Sequence, residues 1–225
     1  MRYILILYAS LFIFSCGKDK MVQLPEINHS EISEINDVSA AYLFYNETEV
    51  DSIELNRKNL ISTTNWLVNV DKRLTLKQVI PKIKFLQEKK QKSEHKNENA
   101  KNYFTCNDIS KKDLGFIEFT NVVYKIYPFD EKPPDSLYIN ISINFKSLES
   151  ITIISSDGFC GNLLTFNWKD FSNKFNDFGF DKSTNPIDII FDENLLFQDY
   201  ITFKVFLEKM KRNNISISNE EIISN

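Results

Sequence analysis

The chain has 225 residues, of which 42% are hydrophobic and 13% aromatic, and it carries a net charge of -4 with a pI near 5.4. This length and apolar content can build a buried core in one or two domains. The acidic balance excludes a general electrostatic attraction to nucleic acid or to anionic lipid headgroups, so we expect no nucleic-acid partner.

The N-terminal residues have the pattern of an export signal. Met1 and Arg2 give a short positive start, and residues 3–14 form an apolar run. The run is long enough for the hydrophobic region of a signal peptide and too short to cross a bilayer as a helix. It ends in the sequence Ser-Cys-Gly around Cys16, which resembles the lipobox of bacterial lipoproteins.

The lipobox resemblance implies that residues 1–15 are removed and that a lipidated Cys16 anchors the protein to a membrane. The charged residues 18–20 resemble the tether of lipoproteins from Bacteroidetes-type bacteria, and we interpret residues 16–38 as the lipidated cysteine and its tether. The expected location is the cell envelope, with a lipid anchor in the outer membrane and the leaflet left open. An alternative is an ordinary secretory signal with an incidental cysteine.

Residues 39–127 are predicted to form a first α/β domain. An apolar pattern at helical spacing runs from Leu76 to Leu86, and Pro81 must kink this helix or mark its first turn. Short or alternating apolar runs predict the strands of this domain, at residues 40–55 (two strands), 66–70, 103–106 and 116–127.

A proline-containing break at residues 128–136 is interpreted as a linker, and residues 137–225 as a second α/β domain. Strands are predicted in this domain at residues 137–145, 151–154, 187–191 and 215–217. Helices are predicted at residues 166–178 and 200–212, where apolar residues recur at three- and four-residue steps.

The two halves share a pattern that indicates an internal duplication. When Asp71 is aligned with Asp192, five pairs are identical at one constant offset. These pairs are Asp71 and Asp192, Leu74 and Leu195, Phe85 and Phe206, Leu86 and Leu207, and Lys90 and Lys211. The predicted fold class is therefore α+β or α/β, with one or two small sheets that amphipathic helices cover.

The order of elements after residue 137 resembles the periplasmic domain of the ExbD/TolR family, the partner subunits of proton-driven envelope motors. The resemblance is carried by residues 151–159, 186–192 and 200–217, and a weaker copy covers residues 40–106. Members of that family have an N-terminal membrane helix with an aspartate for proton flow. Residues 3–14 contain no acidic residue, so the resemblance implies only self-association, for example as a homodimer, and contact with envelope proteins or peptidoglycan.

Two cysteines remain after the lipobox. In an oxidising envelope, Cys106 and Cys160 can form one disulfide that joins the two halves. The alternative is that both are buried thiols.

We find no catalytic, metal or cofactor motif in the sequence. His29 and His95 lie in polar segments without a second ligand at metal spacing. Asp71 and Asp192 end predicted strands, where an active-site carboxylate is one interpretation and turn hydrogen bonding is the commoner one.

An aromatic series in the second half is a further candidate. Trp168, Phe171, Phe175 and Phe178 recur at helical spacing. They can form a binding face for glycans or for a partner helix, whereas core packing is the usual role of such a series.

Taken with the resemblances, these patterns predict a non-enzymatic, membrane-anchored envelope lipoprotein that acts through protein or cell-wall contacts and is linked to ExbD/TolR-type transport systems. An immunity lipoprotein that neutralises a toxin is the alternative, because small acidic α/β lipoproteins of low glycine content also serve that role. An enzyme of unrecognised type is a third hypothesis.

Overall fold

A computed structural model describes residues 20–49, 51–95, 97–127, 141–156, 161–178, 180 and 185–225. These residues form two mixed sheets of six strands each and three α-helices, which confirms the predicted α+β or α/β class. Among the described helices, none has the length and apolar content needed to cross a bilayer.

The first sheet has a parallel centre with antiparallel strands at both sides. Its strands are β1 (Glu26–Ile27), β2 (Val38–Tyr45), β3 (Ile53–Asn56), β4 (Asn65–Val70), β5 (Asn102–Asp108) and β6 (Asp113–Glu118). Strands β2, β4 and β5 are parallel neighbours, β3 pairs antiparallel with β2, and β6 pairs antiparallel with β5. The short β1 pairs in parallel with the end of β5.

The second sheet has the order β10-β9-β8-β11-β12-β7 and also has a parallel centre, but its outer strand β7 pairs in parallel with β12. Its strands are β7 (Val123–Ile126), β8 (Ser142–Ser147), β9 (Ser150–Ser156), β10 (Gly161–Phe166), β11 (Ile187–Asp192) and β12 (Ile217–Ser224). Strands β8, β11 and β12 are parallel neighbours, and β9 pairs antiparallel with β8.

Two long helices and one short helix complete the fold. They are α1 (Leu76–Gln91), α2 (Trp168–Lys174), which a 3-10 turn at Phe175–Phe178 continues, and α3 (Phe197–Arg212). The Gln78 side chain accepts a hydrogen bond from the Thr75 backbone N–H at 2.9 Å, which fixes the start of α1. Pro81 lies inside α1, beyond its first turn.

The long helices occupy matching positions in the two halves. Both have 16 residues, and α3 begins and ends 121 positions after α1, at the offset that separates Asp71 from Asp192. Each helix follows a strand, β4 or β11, that lies between two parallel neighbours. The two halves therefore repeat one strand–helix–strand unit in structure as well as in sequence.

The loops that precede α1 and α3 pair with each other. Thr75 and Leu196, which occupy matching positions, form an antiparallel bridge. On both sides of the bridge, backbone N–H groups of each loop donate hydrogen bonds to backbone carbonyls of the other loop at matching positions. The four hydrogen bonds run from Leu76 N to Leu195 O (3.0 Å), Phe197 N to Leu74 O (2.7 Å), Lys77 N to Glu193 O (2.7 Å) and Gln198 N to Lys72 O (3.2 Å). The contact thus has the form of an isologous interface within one chain.

Side chains of both halves meet in one core behind this pairing. Phe104 of β5 is fully buried, and its ring lies 5.2 Å from Phe197 and 6.2 Å from Tyr200, both on α3. Buried residues of both sheets and both long helices belong to the same apolar cluster. The halves are therefore lobes of one body.

The structure differs from the predicted domain limits at two places. Residues 26–27, expected in the tether, form β1, because Asn107 N donates to Pro25 O at 2.8 Å and Ile109 N donates to Ile27 O at 2.9 Å. Strand β7, expected in the first domain, pairs with β12 of the second sheet. The predicted linker at residues 128–136 lies outside the described residues.

A cavity at the junction of the lobes should destabilise the whole molecule. We expect Phe104→Ala to lower the free energy of unfolding by about 3–5 kcal/mol, because the ring is fully buried against α3. Urea unfolding followed by circular dichroism should show one transition that moves as a unit.

The matched control is Phe85→Ala on α1, a ring that is 43% exposed. It should cost about 1 kcal/mol or less. Two separate transitions, with only one shifted by Phe104→Ala, would contradict a shared core.

Candidate functional site

An open groove of about 690 Å³ runs along α3. One wall is α3 between Thr202 and Arg212, and the other is the segment of residues 26–31. Apolar side chains form its floor, namely Ile27, Ile109, Trp168, Val205 and Phe206. The groove can therefore accept an apolar group between walls that carry polar and charged side chains.

The Gln198 side chain holds the start of the 26–31 wall against α3. Its amide oxygen accepts from the Glu26 N–H at 2.8 Å, and its amide nitrogen donates to the Glu26 carbonyl at 2.9 Å. The amide thus pairs with the backbone of β1 as a neighbouring strand would. Because Gln198 lies in the first turn of α3, the wall and the helix are fixed to each other.

Asp108, at the end of β5, holds the other end of the wall. Its carboxylate accepts from Ser30 N at 2.7 Å and from the Ser110 hydroxyl at 2.7 Å, and it also accepts from the backbone of Ser110 and Lys111. Burial alone would raise the pKa of Asp108, but these hydrogen bonds outweigh it and hold the pKa at about 2. Asp108 is therefore a charged anchor of the groove wall.

The predicted aromatic series is divided between core and groove. Phe171 and Phe175 are buried, and Phe178 packs against the same cluster, so core packing accounts for these three. Trp168 is partly exposed and lies edge-on to Phe206 at 5.2 Å. Of the four, only Trp168 lines the groove.

Charged side chains of both signs stand at the rim of the groove. Glu31 and Arg212 form an ion pair across it. Lys209 is exposed, and its side chain forms no ion pair or hydrogen bond within the described part of the chain. Lys209 is therefore the cation that an acidic group in the groove would meet.

A smaller cavity of about 210 Å³ continues the groove past Arg212 towards Phe116.

The two strand-end aspartates have structural roles. Asp192 accepts from Asn194 N at 2.8 Å, and Asp71 accepts from Arg73 N at 3.1 Å, as in turns closed by aspartate side chains. Asp71 also receives two hydrogen bonds from the Arg73 guanidinium and one from Gln23 N. Burial would raise the pKa of Asp71, but these bonds outweigh it and lower the pKa below its ordinary value.

The cysteine and histidine predictions have different outcomes. Cys106 lies on β5 and is fully buried, and burial raises the pKa of its thiol. Cys16 and Cys160 lie outside the described residues, so the lipid anchor and the disulfide stay predictions.

His29 lines the groove, whereas His95 lies in a loop after α1. Within the described residues, no three His, Cys, Asp or Glu side chains are grouped to hold a metal ion.

A buried polar cluster lies under α3, and the sequence patterns did not predict it. Lys204 donates to Glu221 Oε1 at 2.5 Å, and the Tyr200 hydroxyl donates to Glu221 Oε2 at 2.7 Å. The hydroxyls of Tyr124 and Tyr200 are 3.0 Å apart. Burial, and then the charge of Glu221, raise the pKa of both tyrosines. Each member has a partner inside the cluster, which suits a structural role in joining β7, β12 and α3.

Comparisons with protein families, with curated proteins and with solved structures found no match for this chain.

Breaking the buried ion pair should lower the free energy of unfolding far more than breaking the exposed ion pair beside it. We expect Glu221→Gln to lower the free energy of unfolding by about 3–5 kcal/mol, because it leaves Lys204 buried without a counter-charge. The control Glu220→Gln removes an exposed pair with Lys125 and should cost less than about 1 kcal/mol. Similar losses in urea unfolding of the two variants would contradict the structural role of the cluster.

The Asp108 anchor predicts a pH dependence. Its pKa is lower in the folded state than the ordinary 3.8, so its stabilising effect is complete above about pH 4 and is lost as the pH falls towards 2. Asp108→Asn should therefore lower the melting temperature at pH 7, and the difference from the unmodified protein should shrink as the pH falls from 4 to 2. It should also speed hydrogen exchange at the Ser30 amide.

Asp113→Asn, at an exposed carboxylate on β6, is the control for this experiment. An Asp108→Asn effect that stays constant between pH 2 and pH 7 would show that the carboxylate charge does not hold the wall.

Proposed function

We propose that this protein is a non-enzymatic envelope lipoprotein that is anchored through a lipid on Cys16 and holds a peptide in the groove along α3. The groove carries the proposal, because it combines an apolar floor with Lys209 at an open rim. The lipobox resemblance at Cys16 supports the anchor. The link to ExbD/TolR-type systems rests on the order of elements in the second half.

The length of the groove favours a short extended peptide. Thr202 and Arg212 are ten residues apart on α3, which corresponds to about 15 Å along a helix. An extended peptide covers that distance with about four or five residues. Trp168 and Phe206 would contact an apolar side chain of the peptide, and Lys209 would pair with an acidic group. Both a segment of an envelope protein and the peptide stems of peptidoglycan have this chemistry.

The environments of the buried carboxylates support binding more than catalysis. Asp71 and Asp108 are each saturated by hydrogen bonds that fix loops, and Glu221 is enclosed with Lys204 in the core. These groups shape and hold the molecule. The side chains that remain accessible in the groove, such as Trp168 and Lys209, are suited to contact.

Reversing the charge of Lys209 tests the groove. We expect Lys209→Glu to weaken binding about tenfold, since an attraction becomes a repulsion at the rim. Two probes distinguish the sources of the peptide: purified peptidoglycan sacculi in a co-sedimentation assay, and solubilised envelope proteins captured on the lipidated protein and identified by mass spectrometry.

The control Lys89→Glu makes the same charge change on the exposed side of α1 and should leave binding unchanged. Equal binding by the two variants would exclude the groove. Failure to bind sacculi, together with recovery of no motor or TonB-type component, would contradict the proposed function.

A further inference from the structure

The outward-facing side of β2 is unusually apolar for a surface strand. In β2, Ala41 and Leu43 point into the core and are fully buried, whereas Val38 and Tyr42, on the other side, are 43% and 37% exposed. Ala40, Phe44 and, from β4, Leu67 lie on the same outer side. Outward-facing residues of a sheet with one solvated side are usually polar. We refer to Val38, Ala40, Tyr42, Phe44 and Leu67 as the apolar sheet face.

The second lobe shows that the fold does not require these residues. Leu43 pairs with Val70 in the first sheet, and Phe145 pairs with the matching residue Phe191 in the second. Tyr42 therefore corresponds to Asn144, and Phe44 corresponds by the same count to a lysine at position 146. At these matched positions the second lobe has polar residues where the first lobe has apolar ones, so the repeated fold itself does not require the apolar sheet face.

The N-terminal segment reaches the body beside this face. Lys20 forms an ion pair with Glu54, which lies opposite Phe44 in the pairing of β2 with β3. Met21 follows and is 80% exposed. The first firm attachment is Gln23, whose N–H donates to Asp71 at 3.1 Å and whose carbonyl accepts from Lys72 N at 2.8 Å.

The distance from the lipid to the body is short. Cys16 precedes Lys20 by four residues and Gln23 by seven, which at full extension span about 14 Å and about 25 Å. A compact chain of this length has a radius of gyration of about 17 Å. A lipid on Cys16 therefore holds the membrane within about one body radius of the apolar sheet face.

We propose that the apolar sheet face lies on the lipid bilayer and contacts its headgroup region. This inference rests on the proposed lipidation of Cys16 and adds the orientation of the anchored protein. Tyrosine and phenylalanine suit the boundary between water and acyl chains, and Tyr42 and Phe44 stack at 6.0 Å on this surface. The helix α3, which lines the groove, is then separated from the membrane by the first sheet, because it packs on the opposite side of that sheet, where it contacts Phe104.

A tryptophan reporter in the full-length lipidated protein tests the orientation. Tyr42→Trp is reconstituted in zwitterionic phospholipid vesicles with and without brominated acyl chains, which quench nearby tryptophan. The control is Leu163→Trp, at a position that is 66% exposed on the outer side of the second sheet. Trp66 and Trp168 contribute the same background to both variants. We expect the added tryptophan at position 42 to be quenched several-fold more than the one at position 163.

The mass of the N-terminal peptide, measured on the same samples, separates this inference from the proposed function. An acylated Cys16 with stronger quenching at position 42 supports the orientation. An acylated Cys16 with equal quenching, or none, at the two positions overturns the orientation and leaves the anchor intact. An unacylated N-terminus overturns both. Val38→Trp provides a second reporter on the same face if Tyr42→Trp does not fold.

Discussion

The backbone pairing between the two strand–helix loops is the contact on which the rest of the structure depends. Its hydrogen bonds join Thr75 and its neighbours to Leu196 and its neighbours at matching positions, so each loop both donates and accepts. Because main-chain groups make these bonds, the contact constrains side chains only through their ability to pack behind it. The first turns of α1 and α3 are held side by side, and this brings Phe104 of one lobe against α3 of the other. The two copies of the repeat therefore pair with each other as the subunits of a symmetric dimer would, although both copies lie in one chain.

The features that suit function lie where the copies differ. The 26–31 segment has been added beside α3, and it converts one helix surface into the wall of a groove. Register places Glu221 where the first lobe has Phe104, since the partners of these residues in the neighbouring strands, Ile189 and Val68, occupy matching positions. One copy thus buries an aromatic ring where the other buries an ion pair. The repeated fold tolerates this difference between the copies because the main-chain pairing of the two loops does not depend on these side chains.

The sequence patterns predicted the parts of the fold that are periodic. Apolar residues at helical spacing located α1 and α3, and the shared offset between Asp71 and Asp192 indicated the repeat that the structure shows. The groove escaped prediction because its walls are about 170 residues apart and one of them contains a strand of only two residues, too short for any pattern. The buried Glu221 escaped for a related reason: a carboxylate in a polar strand is interpreted as exposed unless its lysine partner on a distant helix is known.

The N-terminal segment at Gln23, the groove and the central pairing are connected by a short path of hydrogen bonds. Gln23 is bonded to Asp71 and to Lys72, and the Lys72 carbonyl accepts one of the four bonds that join the lobes. The donor of that bond is Gln198, whose side chain in turn holds the groove wall at Glu26. A displacement of Gln23 would therefore be transmitted to the backbone pairing between the lobes and to the groove wall.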